Sequence, residues 1–266
     1  MRRFFVLTSR HRAPSTNKAL GLMLAFIAGA INAGGFLVLH QYTSHMTGFA
    51  SQLADGLVQG KLTLVLHALG AILAFVCGAA VCAILVNWGR QRRLDSVYAL
   101  PLLVEALLIL PFGLMGAITM TWNTPFAVPL TVLLLSFIMG LQNAVGSKTS
   151  GGSIRTTHMT GNITDLGMEL GKMMYVNRCK REGASSRYVR HNRTKLRLTA
   201  GLIAGFTTGG IAGALGFTYV GFGCVVPLAA LLLAVSLPPL LRDASKLRRE
   251  LRWLRSHGLW RRRRPG

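Results

Sequence analysis

His45 and His158 are the side chains of this chain best suited to chemistry, and each opens the same string. His45-Met46-Thr47-Gly48 returns as His158-Met159-Thr160-Gly161. An imidazole titrates near neutrality, so such a pair can relay protons or bind a polar solute. Equally, each ring can hydrogen-bond backbone freed where a helix is interrupted. No second His or carboxylate stands at ligand spacing beside either one, so no metal and no cofactor is expected. Each string follows an apolar run ending in Asn-Ala, at Asn32-Ala33 and Asn143-Ala144. The histidines are 113 residues apart and the asparagines 111, so two halves register with a small insertion. That is the mark of an internal duplication.

The neighbours of the histidines widen the candidate site. Gly48 and Gly161, beside Thr47 and Thr160, offer lightly covered backbone N–H groups at a helix start, where exposed donors and the helix dipole attract anions. Glycine there also permits close helix packing. Arg155 adds a full positive charge. Asn32 and Asn143 either line the same cavity or brace the helix break. Glu105, in Val104-Glu105-Ala106-Leu107, lies inside an apolar run, where a carboxylate is expensive and faces a cavity or the protein interior. It reads as a proton or coupling-ion site, or as a neutral, hydrogen-bonded structural group. Asp165 is the second acidic candidate for exchange. No Gly-x-Ser-x-Gly elbow, HExxH, P-loop or dinucleotide fingerprint occurs, and Ser44-His45 are merely adjacent, so an enzyme is not expected. Cys77, Cys82, Cys179 and Cys224 show no CxxC or Cys/His metal spacing.

The elements that must carry these residues are membrane spans. Of 266 residues 51% are hydrophobic and 14% charged, and the apolar ones come in long blocks. A spanning helix needs about 20 apolar residues. Six blocks qualify, at roughly 19–39, 62–86, 97–119, 126–146, 197–219 and 222–241. The net charge of +22 is not spread over a soluble surface and carries no interleaved aromatic-basic motif, so no nucleic-acid partner is expected. Of 30 Lys and Arg, five precede the first block and three lie in 87–96. Eleven run from Lys148 to Arg197, ten follow from Arg242 onward, and only Lys61 falls on the other side. The positive-inside rule then puts both termini in the cytoplasm. Three spans separate the two repeat starts, so the halves enter the membrane in opposite orientation, as in many transporters.

The chain divides into a basic cytoplasmic arm (1–18), a first membrane repeat (19–119), a second (120–241) with a basic loop at about 172–196, and a basic tail (242–266). After Thr160 an apolar stripe of Ile163, Leu166, Leu170 and Met173 opposes Asp165, Glu169 and Lys172. The stretch after Thr47 repeats this more weakly. Thr47 and Thr160 are natural N-caps for a short helix, either re-entrant from each side, interfacial, or an ordinary loop turn. The tail suits a helix lying on acidic headgroups or a solvated Arg-rich segment. The expected fold is therefore an all-α polytopic membrane protein of about six transmembrane helices. They form two inverted three-helix repeats, each with a short re-entrant or interfacial helix after HMTG.

The frames Gly140-Leu141-Gln142-Asn143-Ala144 and Ile154 to Gly167, with Asn32 to Phe36 and Ser44 to Gly48, resemble the YoaK family of bacterial membrane proteins, a domain of unknown function. The resemblance covers about residues 18 to 240. It implies a six-span protein of the bacterial inner membrane and supplies no activity. In that family Asn follows the first MTG, as Asn162 follows the second, whereas this chain has Phe49. Transport or channelling of a small polar or anionic solute is the expected function. The alternative is a membrane scaffold or assembly factor. Expected partners are the bilayer, anionic lipid headgroups against the basic tail, and the small solute.

Reporter fusions test the topology. A reporter after Met120 should be active on the outer side and one at the C-terminus on the cytoplasmic side. An externally active C-terminal reporter would remove the inverted-repeat expectation with it.

Overall fold

The structure, a computed structural model, describes residues 14–121, 127–175 and 189–256. Residues 1–13 of the basic arm, 176–188 of the basic loop and the closing 257–266 lie outside it. The described residues are helical throughout their regular elements: α1 (Pro14–Leu39), α2 (Met46–Val58), α3 (Leu62–Gln91), α4 (Ala99–Thr121), α5 (Ala127–Ser150), α6 (Met159–Met174), α7 (Arg193–Tyr219) and α8 (Val225–Ser256). A 3₁₀ turn, Gly221–Cys224, joins α7 to α8. Six of the helices are long and apolar enough to cross a membrane, and they match the six expected blocks to within a few residues at each end. The chain is a multi-pass membrane protein. The two short helices, α2 and α6, follow the two HMTG histidines.

The packing order differs from the chain order. α1 packs most extensively on α7, α3 on α5, and α4 on α8, while α2 lies on α3 and α6 on α7. Glycine explains the two tightest pairs. A Cβ built on Gly29 would sit 2.0 Å from the carbonyl oxygen of Phe206, and one on Gly209 2.0 Å from that of Phe26. In the other pair, Gly78 meets the Phe137 carbonyl and Gly140 the Phe75 carbonyl, again at 2.0 Å. Each helix thus presents Phe-x-x-Gly and each glycine receives its partner's Phe carbonyl. Backbones this close gain dispersion and Cα–H···O contacts that no larger residue permits.

Contacts along each pair fix the directions. Phe26 with Gly209 and Ala30 with Gly213 make α1 and α7 parallel; Gly70 with Leu133 and Gly78 with Leu141 do the same for α3 and α5. Gln142 Nε2 donates to the Leu24 carbonyl at 3.1 Å and Gly35 meets Leu135, so α1 and α5 run antiparallel. The Ser96 N–H donates to Asp243 Oδ2 at 2.9 Å, and Gly113 meets Val225, so α4 and α8 are antiparallel too. The starts of α1, α4 and α7 therefore share one end of the molecule with the ends of α3, α5 and α8. That end carries Lys18, Arg90, Arg92, Arg93, Lys148, Arg193, Lys195, Arg197, Arg242 and Lys246, and Lys61 stands at the opposite end.

The segment from Arg242 to Ser256 continues α8 unbroken from the last span. Pro238 and Pro239 lie inside α8 without ending it, and helix-forming Leu, Arg, Lys and Glu follow. Asp243 on Ser96 and the Lys246–Asp95 ion pair hold its first turns against the α3–α4 connection.

The crossings can be tested by adding bulk. Gly29→Val or Gly140→Val should lower stability in detergent by more than the roughly 1–3 kcal/mol of ordinary overpacking, because backbone cannot move aside. Gly167→Ala, where a Cβ meets nothing within 4 Å, should raise it by up to about 1 kcal/mol. Thermal unfolding followed by size-exclusion chromatography measures both.

Candidate functional site

The repeated string is longer than four residues. It reads Thr43-Ser44-His45-Met46-Thr47-Gly48 in the first half and Thr156-Thr157-His158-Met159-Thr160-Gly161 in the second. Before each copy the backbone turns sharply at equivalent positions. His40, just past α1, has φ 52°, and Gly151, just past α5, has φ 61°. The left-handed conformation costs glycine nothing; at His40 it is held by the Phe36 ring, which stacks on Tyr42 at 4.6 Å and meets His40 edge-on. The two extra residues of the second half fall between this turn and the string.

The chain then doubles back along the helix it has left. Ser44 donates from Oγ (3.1 Å) and from its N–H (3.4 Å) to Asn32 Oδ1. Asn143 Nδ2 donates to the Thr157 hydroxyl and to the Met139 carbonyl. Asn32 and Asn143 each lie seven residues short of their helix's last residue. At 1.5 Å per residue the return is about 10 Å. Thr43 and Thr156 are fully buried beside Gly35 and Gly146, and neither hydroxyl has a hydrogen-bond partner. Each asparagine thus ties the returning chain to the helix it has left.

At the string itself the expected N-caps are displaced. His45 and His158, not Thr47 and Thr160, occupy the N-cap positions, and neither imidazole makes a capping hydrogen bond. Met46, packed against the core, sets the helix start upstream of Thr47. Each His ring instead lies over the glycine three residues on: Nδ1 would meet a Cβ at 2.8 Å on Gly48 and 2.2 Å on Gly161. That is a packing reason for glycine at both places. His45, Thr47, His158 and Thr160 are all exposed, while Gly48 and Gly161 are half-buried.

The halves diverge one residue later. Asn162 is buried and its Nδ2 donates to the Arg155 carbonyl at 3.1 Å, while the Arg155 side chain is exposed. Phe49 fills the equivalent place, buried, with its ring 6.1 Å from that of His67 on α3. Asp165 pairs with Lys195 at 2.9 Å. Glu169, buried, accepts the Asn192 N–H at 2.7 Å and pairs with Lys172 at 2.8 Å. These contacts hold α6 to the start of α7, where Asn192 caps the helix.

Glu105 stands apart from the strings. It is fully buried on the core face of α4 with Leu102, Ile109 and Phe112, and neither carboxyl oxygen has a hydrogen-bond partner. The Tyr98 hydroxyl donates to the Lys148 carbonyl, which puts Glu105 about level with Gln142, counting along the two antiparallel helices. Gln142 Oε1, Ser136 Oγ and Ser236 Oγ are likewise buried and unpartnered. Among the described residues no cluster of three His, Cys, Asp or Glu could hold a metal.

Sequence reasoning missed Ser44 and Thr157 as braces, the buried Thr43 and Thr156 beside them with Gly35 and Gly146 beneath, and Gln142. All but Gln142 sit at the 111- or 113-residue offset, which was the signal available.

Residues 20–237 match the family described as "Protein of unknown function (DUF1275)". The chain belongs to the DUF1275 family. It is similar to the "UPF0700 transmembrane protein YoaK" of Bacillus subtilis (strain 168), 23% identical over 160 residues, 60% of this chain and 69% of that protein. No solved structure matches it. The matched residues take in both HMTG strings and all or part of each of the six long helices.

The α6 anchor gives a pH test. The Asn192 N–H, then Lys172, hold the Glu169 carboxyl below the usual carboxylate range. A depressed pKa contributes stability above the unfolded-state value and loses it as pH falls through the lowered one. Hydrogen exchange in α6 should therefore accelerate on acidification below the usual carboxylate range. Glu169→Gln should accelerate it already at neutral pH and flatten the pH profile.

Proposed function

We propose that this protein is a transporter or channel for small polar or anionic solutes, formed by two inverted repeats, 19–119 and 120–241. In this reading it lies in the bacterial inner membrane with both termini cytoplasmic. The observation that carries the proposal is the doubling-back of the chain at Asn32–Ser44 and again at Asn143–Thr157. Polar, non-helical backbone at membrane depth is tolerated only where it is buried in protein or lines a cavity.

The packing supports inversion. Exchange α1 with α5, α2 with α6 and α3 with α7, and the pairs α1·α7, α2·α3 and α3·α5 become α5·α3, α6·α7 and α7·α1, all of which occur. The four Phe-x-x-Gly crossings follow the same exchange. Depth follows from counting. Phe49 lies beside His67 and Asp165 pairs with Lys195, so α2 and α6 run antiparallel to α3 and α7. Their first residues are then one to two turns, about 10 Å, from the level of the crossings. This supports two half-helices entering from opposite faces with their starts inward, and exposed His and Thr side chains near midplane. The basic end would face the cytoplasm, against anionic headgroups.

Glu105 is the acidic group for coupling in this reading. A carboxylate buried without a partner is too costly to stay ionised, so it holds a proton or takes one in exchange for a cation. Asp165, already paired with Lys195, serves less well.

One observation favours the scaffold reading. The core shared by the repeats is filled by Leu24, Ile27, Ile31, Leu135, Ile138 and Leu141, all fully buried, which is dry packing.

Purified protein in liposomes separates the two. Uptake of small anions driven by a proton or sodium gradient should be lost in Glu105→Gln, with folding and insertion intact. If no anion is taken up, and Glu105→Leu unfolds at higher temperature than the parent, the scaffold reading stands instead.

A further inference from the structure

We infer that the two Asn-to-hydroxyl hydrogen bonds are alternating latches between two bodies that do not coincide with the sequence halves. This rests on the transport reading above and assigns the gating of that site. The packing defines the bodies. One is built on α1, α7 and α6 and the other on α5, α3 and α2, while α4 and α8 pack on each other, α4 also on α5 and the 221–224 turn on α7. Each contains helices from both halves, joined by glycine-to-carbonyl crossings that a Cβ would break. Backbone contact at that distance leaves no freedom to slide, so each trio moves as a unit.

The latches join the trios. Asn32 is on α1, in the first trio; Ser44 introduces α2, in the second. Asn143 is on α5, in the second trio; Thr157 introduces α6, in the first. One latch lies beyond the crossings toward the α1 end and the other toward the α5 end, and these helices are antiparallel. The latches therefore sit on opposite sides of the crossing level. Each seats its HMTG string, and Thr43 and Thr156, buried behind them without partners, have only short helix surface at Gly35 and Gly146 to hold them.

What lies between the latches is permissive. Within α1·α5, Gln142 to the Leu24 carbonyl is a single hydrogen bond near the crossing level, and the rest is apolar side chain. A pivot there lets the trios rock. Rocking that opens the Asn32–Ser44 side closes the Asn143–Thr157 side, because both strings are carried on the opposite trio from their asparagine. In the structure both latches are made. The latches differ in sense: Asn32 accepts from Ser44, whereas Asn143 donates to Thr157. Each side can therefore be weakened separately.

The test uses the full chain with Cys77, Cys82, Cys179 and Cys224 replaced by alanine, in sealed vesicles of known orientation. The probe is a membrane-impermeant maleimide. Ser44→Ala should raise labelling of Thr47→Cys about several-fold and lower that of Thr160→Cys. Thr157→Val should do the reverse. Asn32→Cys with Ser44→Cys, oxidised to a disulfide, supplies an independent arm in which Thr160→Cys labelling rises while the lock holds and returns to its starting rate on reduction. Labelling at the two sites that moves together, or does not move, overturns the latches. Uptake by the unlocked parent is scored separately: reciprocal labelling without uptake leaves the rocking intact and removes transport.

Discussion

Four glycines beneath four phenylalanine carbonyls hold this fold together. A side chain at Gly29, Gly78, Gly140 or Gly209 would occupy the space of a backbone oxygen, so the helices can approach this closely only where glycine stands. In a bilayer, where apolar side chains gain little by leaving lipid, such contact is a main source of helix association. The crossings set the pairing of α1 with α7 and α3 with α5, and this pairing interleaves the two halves. Had each half packed on itself, the strings at His45 and His158 would belong to separate bundles with no shared level.

Placing the strings required a second constraint. A chain that leaves a helix and turns back along it must be tied to that helix by its polar groups. Asn32 and Asn143 do this, each reaching the hydroxyl residue that precedes its histidine. The histidines, the most conspicuous residues of the motif, are exposed and pack on their own glycines. The bracing belongs to the asparagines and to Ser44 and Thr157.

The asymmetries carry as much information as the repeat. Asn162 closes its turn through the Arg155 carbonyl, while Phe49 packs toward His67. α6 is held to α7 by Asp165 and Glu169, whereas α2 reaches α3 through apolar contact and Gly56. One side of the molecule is thus closed by charge and the other by packing. Glu105, buried without a hydrogen-bond partner on α4, belongs to the first half alone.

The amino-acid sequence by itself determined the number of spans, their limits to within a few residues and the duplication, because apolar length and repeated strings are local properties. It also determined which end is basic. It did not reveal that the N-caps fall on His45 and His158 and not on Thr47 and Thr160. Nor did it reveal that α8 runs unbroken past Arg242, since Asp95 and Ser96 steady that segment from 147 or more residues away. The partner of each Phe-x-x-Gly was decided only by tertiary structure. Four helices carry the same pattern, and any two of them could cross at it. Which pairs form depends on direction, level and the packing of the remaining helices, and none of these is written in a single segment.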